Sequence, residues 1–353
     1  MAHWRCTFEG VATSPRTVGV VTGAATPLGL RPSPSPDIER RLHINELNVP
    51  RGNARAVAEW AEARKGSSLM SERVVVITGA SDGIGAAAAR QVKSHGDRVV
   101  VVGRSASKTK AVATELDSPY YLVDFARLED VRRFAAELKR DLPRIDVLAN
   151  NAGGIMGDRT VTPDGYEMTM QVNHLAPFLL TNLLLDSLIA SKAAVIATSS
   201  TAHNWGGRLD LGDINLEHGY SRMGAYGKGK LMNILFTKEL HRRYHAQGIA
   251  AAAFHPGVVR TNFSSEFGGS ASILYTSFLK NLLASPEKGA DTLVWLATTE
   301  PGKDWQSGEY YTKRKVKEPN KQAQDPKLAE DLWELSARLV GLGQVGESAP
   351  SRG

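Results

Sequence analysis

The run Thr78-Gly79-Ala80-Ser81-Asp82-Gly83-Ile84-Gly85 constrains this chain more than any other. It closes an apolar stretch that begins at Val74 and opens an alanine-rich stretch of helical character. A strand, a glycine turn and a helix in that order form the loop that holds a dinucleotide pyrophosphate. Gly79 permits the tight turn. Gly83 leaves no Cβ where a phosphate approaches the backbone, and Gly85 lets helix and strand pack closely. The helix start offers free N–H groups and the positive end of its dipole. The pattern predicts a strand over 74–78, a helix over 85–95, and a phosphate site formed by Gly79, Ser81, Asp82, Gly83, Ile84 and Gly85.

The alternation continues downstream. Apolar strand patterns fall at 98–102, 120–123, 145–149, 193–198 and 249–254, with a further one near 309–312. Helical patterns fall at 108–116, 128–139, 166–189, 225–245, 286–298 and 326–340. Short apolar strands alternating with longer helices predict βαβ units with right-handed crossovers. The fold class read from the sequence is therefore α/β: a single Rossmann-type doubly wound parallel sheet with helices on both faces. It is expected over 71–345, with a flexible tail at 346–353.

The first 70 residues read as a mostly disordered arm. Six of the 16 prolines lie there, including the alternating run from Pro32 to Pro36. Such a run favours extended, solvated backbone, because proline fixes φ and lacks a donor. Within the arm, Val20-Val21-Thr22-Gly23 and the following Ala24 to Gly29 imitate a nucleotide loop. Pro27 stands where a second glycine is needed, and no amphipathic helix follows, so the imitation reads as a decoy. Met70 stands just before the first strand, and one expectation is that the native protein starts there, residues 1–69 being an overlong gene model.

Composition narrows the class. Of 353 residues, 42% are apolar and 23% charged, enough to bury a substantial core. The net charge of +6 is mild, and residues 1–70 carry about half of it; no aromatic–basic groove accompanies it, so no nucleic-acid partner is expected. Cys6 stands alone, which excludes an internal disulfide and a multi-cysteine metal site. No apolar run reaches the roughly 20 residues of a spanning helix, and the N-terminus lacks a secretory pattern. The expectation is a cytoplasmic protein with no membrane span and no metal.

Five motifs carry a family resemblance. They are the glycine loop, Asn150-Asn151-Ala152-Gly153 after the fourth strand, Ser199-Ser200 after the fifth, Tyr226-Gly227-Lys228-Gly229-Lys230, and His255-Pro256-Gly257-Val258-Val259-Arg260-Thr261 after the sixth. In this order they resemble the short-chain dehydrogenase/reductase family over residues 73–340. The runs Val172-Asn173-His174-Leu175, Lys230-Leu231-Met232-Asn233-Ile234-Leu235-Phe236-Thr237 and Leu332-Trp333-Glu334-Leu335-Ser336 resemble its retinol-dehydrogenase-like branch and bacterial relatives. The resemblance implies a catalytic set of Asn173, Ser200, Tyr226 and Lys230. It also implies that Asn150, Ala152, Gly153, Tyr226, Lys230, Pro256, Gly257, Val259 and Thr261 border a nicotinamide cofactor.

The residues themselves refine this. The second strand ends at Val102-Gly103-Arg104 with no carboxylate, so nothing repels a 2′-phosphate, and Arg104 and Lys108 can attract one. NADP, with NADPH preferred over NADH, is the expected cofactor. Asp124 has two readings, an adenine contact and a cap for a helix beginning at Ala126. Tyr226 and Lys230 are four apart and share a helix face. An ammonium beside a phenol lowers the phenol's pKa, as does an oxidised nicotinamide, and a phenol so tuned is a usable general acid or base. The resemblance selects Ser200 to hydrogen-bond the substrate oxygen, with Ser199 as the alternative. It also implies that Asn173 binds a water through a backbone kink and links Lys230 to solvent for proton relay; the plainer reading is a capping or core amide.

Residues 201–225 read as an inserted loop or hairpin beside the site. The stretch 261–283 reads as a substrate loop, whose Phe263, Phe267, Ile273, Leu274, Tyr275 and Phe278, with Trp205 and Met156, would cover an apolar carbonyl or alcohol. His174 and His255 read as structural. Helices 166–189 and 225–245 are the surfaces through which family members pair, and assembly stays open. The leading function is an NADP-dependent carbonyl reductase or alcohol dehydrogenase; the alternative is a catalytically silent NADP-binding regulator or scaffold.

Overall fold

The computed structural model describes residues 73–257 and 284–342. The proline-rich arm, Met70, Val259, Thr261, the 261–283 stretch and the tail at 346–353 lie outside the described residues.

Eight strands form one sheet: β1 (Val74–Thr78), β2 (Arg98–Gly103), β3 (Tyr120–Leu122), β4 (Val147–Asn150), β5 (Ala194–Thr198), β6 (Ala250–His255), β7 (Glu309–Thr312) and β8 (Lys315–Val316). Among the described residues their order is β3-β2-β1-β4-β5-β6-β7-β8, and only the two-residue β8 runs antiparallel. The chain reverses direction across the sheet between β1 and β4, and ligands of such sheets bind at the carboxyl ends of the strands flanking that reversal.

Alternation along β1 and β2 divides the core. Val74, Val76, Val100 and Val102 face one layer, while Val75, Ile77, Val99 and Val101 face the other. Helices α1 (Gly83–Ser94) and α2 (Ala106–Glu115) cover the second face, together with α7 (Pro286–Thr298). The first face is covered by α3 (Leu128–Asp141), α4 (Ala176–Leu183), α6 (Arg222–Tyr244) and α8 (Pro326–Leu339), with α5 (Leu185–Ala190) continuing from α4. Four consecutive buried alanines, Ala86 to Ala89, bring α1 close to the sheet. This is a doubly wound α/β sheet, as the sequence predicts.

The expected single helix over 166–189 is interrupted. A helical turn at Met168–Met170 is capped by the Glu167 carboxylate, which accepts from the N–H groups of Thr169 (2.9 Å) and Met170 (2.8 Å). Gln171–Leu175 is then a π-helical turn, α4 follows, and the chain breaks at Leu184 before α5. Pro177 has no N–H for the carbonyl four residues back, so the α ladder cannot run unbroken through Asn173. Of the inserted loop or hairpin expected over 201–225, the structure has the loop: a 3-10 turn, Thr201–Asn204, followed by bends and turns with no strand before the helix that starts at Arg222.

Helix α8 lies across α4 and α6. Trp333 packs edge-on against Phe178 at 4.9 Å and stacks on Phe236 at 5.7 Å, and the Arg243 guanidinium lies 5.0 Å above its ring. Phe178 of α4 and Phe236 of α6 are thus covered by α8 of the same chain.

Candidate active site

The carboxyl ends of β1, β4 and β5 open into one cleft. Its inner part, about 270 Å³, is lined by Gly79, Asp82, Gly83, Ile84, Gly85, Asn151, Ala152, Gly153, Gly154, Thr198, Tyr226, Lys230 and Pro256. Its outer part shares Gly79, Asp82, Ala152 and Gly153, and adds Ser81, Gly103, Arg104, Lys108, Asp124 and Met156 among others. Met156 therefore sits with Arg104 and Asp124, not beside Tyr226 as expected of a substrate contact.

The glycine loop is built for close approach. Gly79 and Gly83 hold φ of +67° and +52°, which L side chains avoid. A Cβ on Gly85 would stand 2.2 Å from the Gly79 carbonyl oxygen and 2.7 Å from Asn151 Nδ2. Helix α1 starts at Gly83, two residues before its predicted start, because the Asp82 carboxylate accepts from the Gly83 N–H (2.8 Å). The other Asp82 oxygen is 2.7 Å from Lys108 Nζ. Arg104 is exposed at the end of β2.

Asp124 makes a local turn, its Oδ1 accepting from Ala126 N–H (3.0 Å). It does not cap a helix beginning at Ala126: α3 begins at Leu128, whose N–H donates to Asp164 Oδ2 at 2.8 Å. Of the two asparagines at the end of β4, Asn150 turns away from the cleft, its Nδ2 donating to Thr181 Oγ1 (3.0 Å) beneath α4. Asn151 takes the cleft floor. Its Nδ2 donates to the Thr78 carbonyl (2.9 Å), its Oδ1 accepts from Thr198 Oγ1 (3.2 Å), and its N–H donates to Thr78 Oγ1 (2.9 Å). It thereby ties together the ends of β1, β4 and β5. Asn151, for which the sequence suggests only a structural role, and Thr78, for which it suggests none, are neighbours of the site; their position at two strand ends was the available signal.

At the inner end, the two serines after β5 part company. Ser199 is fully buried, and its Oγ donates to the Lys230 backbone carbonyl (2.7 Å). Ser200 hydrogen-bonds Tyr226, and its Oγ accepts from the Ala202 N–H (3.2 Å). Strand alternation separates them: adjacent residues leave a strand on opposite faces. Lys230 is 3% exposed; its Nζ donates to the Thr198 carbonyl (3.0 Å) and stands 5.4 Å above the Tyr226 ring. Helix α6 is capped by Ser221, whose Oγ accepts from Gly224 N–H (3.1 Å). Gly227 lets that helix meet the Thr201–Asn204 turn, since a Cβ there would lie 2.6 Å from the Ala202 carbonyl oxygen.

Asn173, in the π-helical turn, clamps the glycines after β4. Its Nδ2 donates to the carbonyls of Gly154 and Thr169 (both 2.9 Å), and its Oδ1 accepts from Gly154 N–H (3.1 Å). A Cβ on Gly153 would stand 2.4 Å from that Oδ1.

The electrostatics depart from expectation. Burial pushes the Tyr226 phenol up to about 12, against the lowering effect of its Ser200 hydrogen bond. Burial also brings Lys230 down to about 7, so it is a weaker source of positive charge than a surface lysine. The expected lowering of the tyrosine by the lysine does not prevail without a further cation, because desolvation acts against both charged forms. His174 is buried, with Nε2 2.8 Å from Ser336 Oγ, and burial takes it down to about 3. His255 accepts from the Thr201 N–H (3.4 Å) and is pushed down to about 4 by burial. Pro256 lines the cleft, and Gly257 holds φ of +89° beside it. Among the described residues, no group of three or more His, Cys, Asp or Glu is gathered as a metal site.

Fold and cleft define a dinucleotide-binding α/β protein with a tyrosine, a lysine and a serine gathered at the inner end of its cleft. Residues 73–270 match the family model of short chain dehydrogenases. The chain is 41% identical over 276 residues to a Streptomyces sp. (strain C5) protein named as a daunorubicin C-13 ketoreductase, covering 76% of this chain and 93% of that one. It is 37% identical over 282 residues to human retinol dehydrogenase 13, covering 76% and 85% respectively. A crystal structure of a metagenomic short-chain oxidoreductase in complex with NADP superposes with a TM-score of 0.51 at 26% identity, over 70% of this chain and 97% of that one. The chain belongs to the short-chain dehydrogenase/reductase family of oxidoreductases, in its retinol-dehydrogenase-like branch. No helix among the described residues is long and apolar enough to cross a membrane.

Proposed function

We propose that the protein is an NADP-dependent oxidoreductase that interconverts an apolar carbonyl compound and its alcohol, with Tyr226 as general acid and base. The observation that carries this reading is the convergence of Tyr226 and Lys230 on the inner end of a glycine-floored cleft, with Ser200 hydrogen-bonded to Tyr226.

The residues present suit a dinucleotide. Gly79 and Gly83 leave backbone where a phosphate must approach, and the α1 N-terminus faces the same cleft. Ser81 to Gly85 would hold the pyrophosphate, Asp124 the adenosine side, Ala152 and Gly153 the floor, and Tyr226 with Lys230 the nicotinamide ribose. Arg104 and Lys108 would attract a 2′-phosphate, supporting NADPH over NADH. Pro256 and Gly257, followed by Val259 and Thr261, would complete the nicotinamide end. The cofactor, when bound, supplies or accepts the hydride.

The chain's own part is proton handling and orientation. A phenol held near 12 is fully protonated at neutral pH, so Tyr226 is poised to donate to a carbonyl oxygen. Ser200 orients the same oxygen and steadies the phenol. The buried Lys230 ammonium, when protonated, favours the phenolate left after donation. Asn173 fixes the glycine floor beside both. The test is nicotinamide absorbance with NADPH across apolar aldehydes and ketones. Turnover is expected in the wild type and a loss of at least about a hundredfold in Tyr226→Phe, the usual scale of a general acid. Equal rates in both would refute the assignment, and tight NADPH binding with no turnover on any substrate would turn the case to a cofactor-binding regulator.

A further inference from the structure

The turn that follows Ser200 is held by a histidine with no part in hydride or proton transfer. His203 lies in the Thr201–Asn204 turn and is 2% exposed. Its Nδ1 is 2.6 Å from the Ser200 carbonyl oxygen, and its Nε2 is 3.3 Å from the Asn320 backbone nitrogen. A backbone N–H only donates, so Nε2 is the acceptor and Nδ1 carries the proton. One tautomer is therefore imposed, and it aims its N–H at the Ser200 peptide. Asn320 completes the clamp. Its Nδ2 donates to the His203 carbonyl (2.7 Å), and its Oδ1 accepts from the Ala323 N–H (3.0 Å). Gln322 adds a second tie between the same segments, accepting from Leu209 N–H (2.9 Å) and donating to the Gly207 carbonyl (3.0 Å). The face of the ring is closed by Tyr310 of β7, edge-on at 5.1 Å.

We propose that His203 is a positioning residue: through its Nδ1–H and the Asn320 clamp, it fixes the Ser200 peptide so that the Ser200 hydroxyl stays on Tyr226. The C-terminal segment 320–324 thereby becomes part of the active-site support, far from it in sequence. The proposal rests on the oxidoreductase reading above.

Asparagine and glutamine separate positioning from packing. The amide nitrogen of asparagine lies near the place of Nδ1, whereas that of glutamine lies near the place of Nε2. His203→Asn should keep kcat within about threefold of wild type, and His203→Gln should lose roughly tenfold in kcat with KM nearly unchanged, the scale of one lost hydrogen bond. In a Ser200→Ala background, His203→Gln should cost almost nothing more, because the group it positions is gone. A second readout needs no turnover. Amide hydrogen exchange of the 199–206 peptide should quicken in His203→Gln and stay near wild type in His203→Asn. A role in packing alone predicts the opposite order, with the larger glutamine closer to wild type in both measurements, and that order would overturn the proposal. If the wild type turns over no substrate, the oxidoreductase reading fails, and the exchange order alone decides the role of His203.

Discussion

A carboxylate in a phosphate cradle is an unusual choice, and Asp82 is one. Its cost is met by Lys108, whose Nζ stands 2.7 Å away, with both side chains about half exposed (51% and 54%). The pair explains how an acidic residue can border a phosphate loop, and on the NADP reading proposed above it gives Lys108 two tasks: it cancels Asp82, and it adds attraction for a 2′-phosphate. Replacing it separates them. In near-aqueous surroundings, two unit charges about 4 Å apart interact by about 1 kcal/mol. For NADPH, Lys108→Ala removes one such attraction and unmasks one such repulsion, about 2 kcal/mol together, or roughly a thirtyfold rise in Kd. For NADH only the unmasked Asp82 acts, on the pyrophosphate, and the rise should be about fivefold. Adding Asp82→Asn to Lys108→Ala should return about fivefold to both cofactors, leaving a residual loss for NADPH alone. The assay is a fluorescence titration of the reduced cofactors at low and at 0.5 M salt (about 0.5 M, where screening compresses every difference). Equal losses for the two cofactors, or no recovery with Asp82→Asn, would refute the reasoning.

Three other outcomes are expected. Gly85→Ala puts a Cβ 2.2 Å from the Gly79 carbonyl oxygen, so the loop must shift: a loss of about 1–3 kcal/mol by thermal or urea unfolding, with NADPH binding weakened further, is expected, and wild-type values for both would contradict it. His174 is held at about 3 in the folded chain against about 6.5 unfolded, so the unfolded state binds the extra proton between those values. Stability should therefore rise with pH across that window and fall on acidification below about pH 6.5, and His174→Gln should flatten this part of the profile in urea melts at stepped pH. Glu239, 1% exposed, holds Arg242 and Arg243 at 2.6 Å, and Arg243 reaches on to Glu334 of α8. Glu239→Ala should cost roughly 1–3 kcal/mol in unfolding while leaving NADPH affinity unchanged; a change in affinity without one in stability would contradict a purely structural role.

How much of this was written in the sequence follows from the range of the signals. Strand positions were legible because a strand covered on both faces is apolar throughout; the strands Val74–Thr78 and Glu309–Thr312, and the helix Pro286–Thr298, fall where the pattern places them. The glycine loop was legible because backbone-only approach admits one residue type. What was not legible depends on cap chemistry or on distant partners. Asp82 caps α1 two residues early, and Asp164, 36 residues from Leu128 in sequence, supplies the bond that Asp124 was expected to supply. The π-helical turn at Asn173 had its signal in Pro177, which a helical periodicity over 166–189 conceals. Asn151 and Asn150 could not be assigned to their faces until the end of β4 was fixed, because a shift of one residue exchanges them.

The same alternation organises the chemistry after β5. Three consecutive residues divide the work of holding α6 against the strand. The Thr198 carbonyl accepts from Lys230 Nζ and from Asn233 Nδ2, both at 3.0 Å; Ser199 Oγ donates to the Lys230 carbonyl; and Ser200 meets Tyr226. Because Lys230 is bonded at both its ammonium and its backbone, its distance from the Tyr226 ring is set by the strand and not by the lysine's own rotamers. On the reading proposed above, with Tyr226 as general acid and base, burial of this pair bears on the proton transfer. Desolvation keeps the phenol protonated and weakens the ammonium, so the site by itself favours donation over abstraction. Abstraction from an alcohol requires an added positive charge beside the phenol, and an oxidised nicotinamide is such a charge. On the proposed reading, a site arranged in this way holds its proton until the partner that makes its removal productive is present, and a phenol protonated at neutral pH suits donation to a carbonyl oxygen.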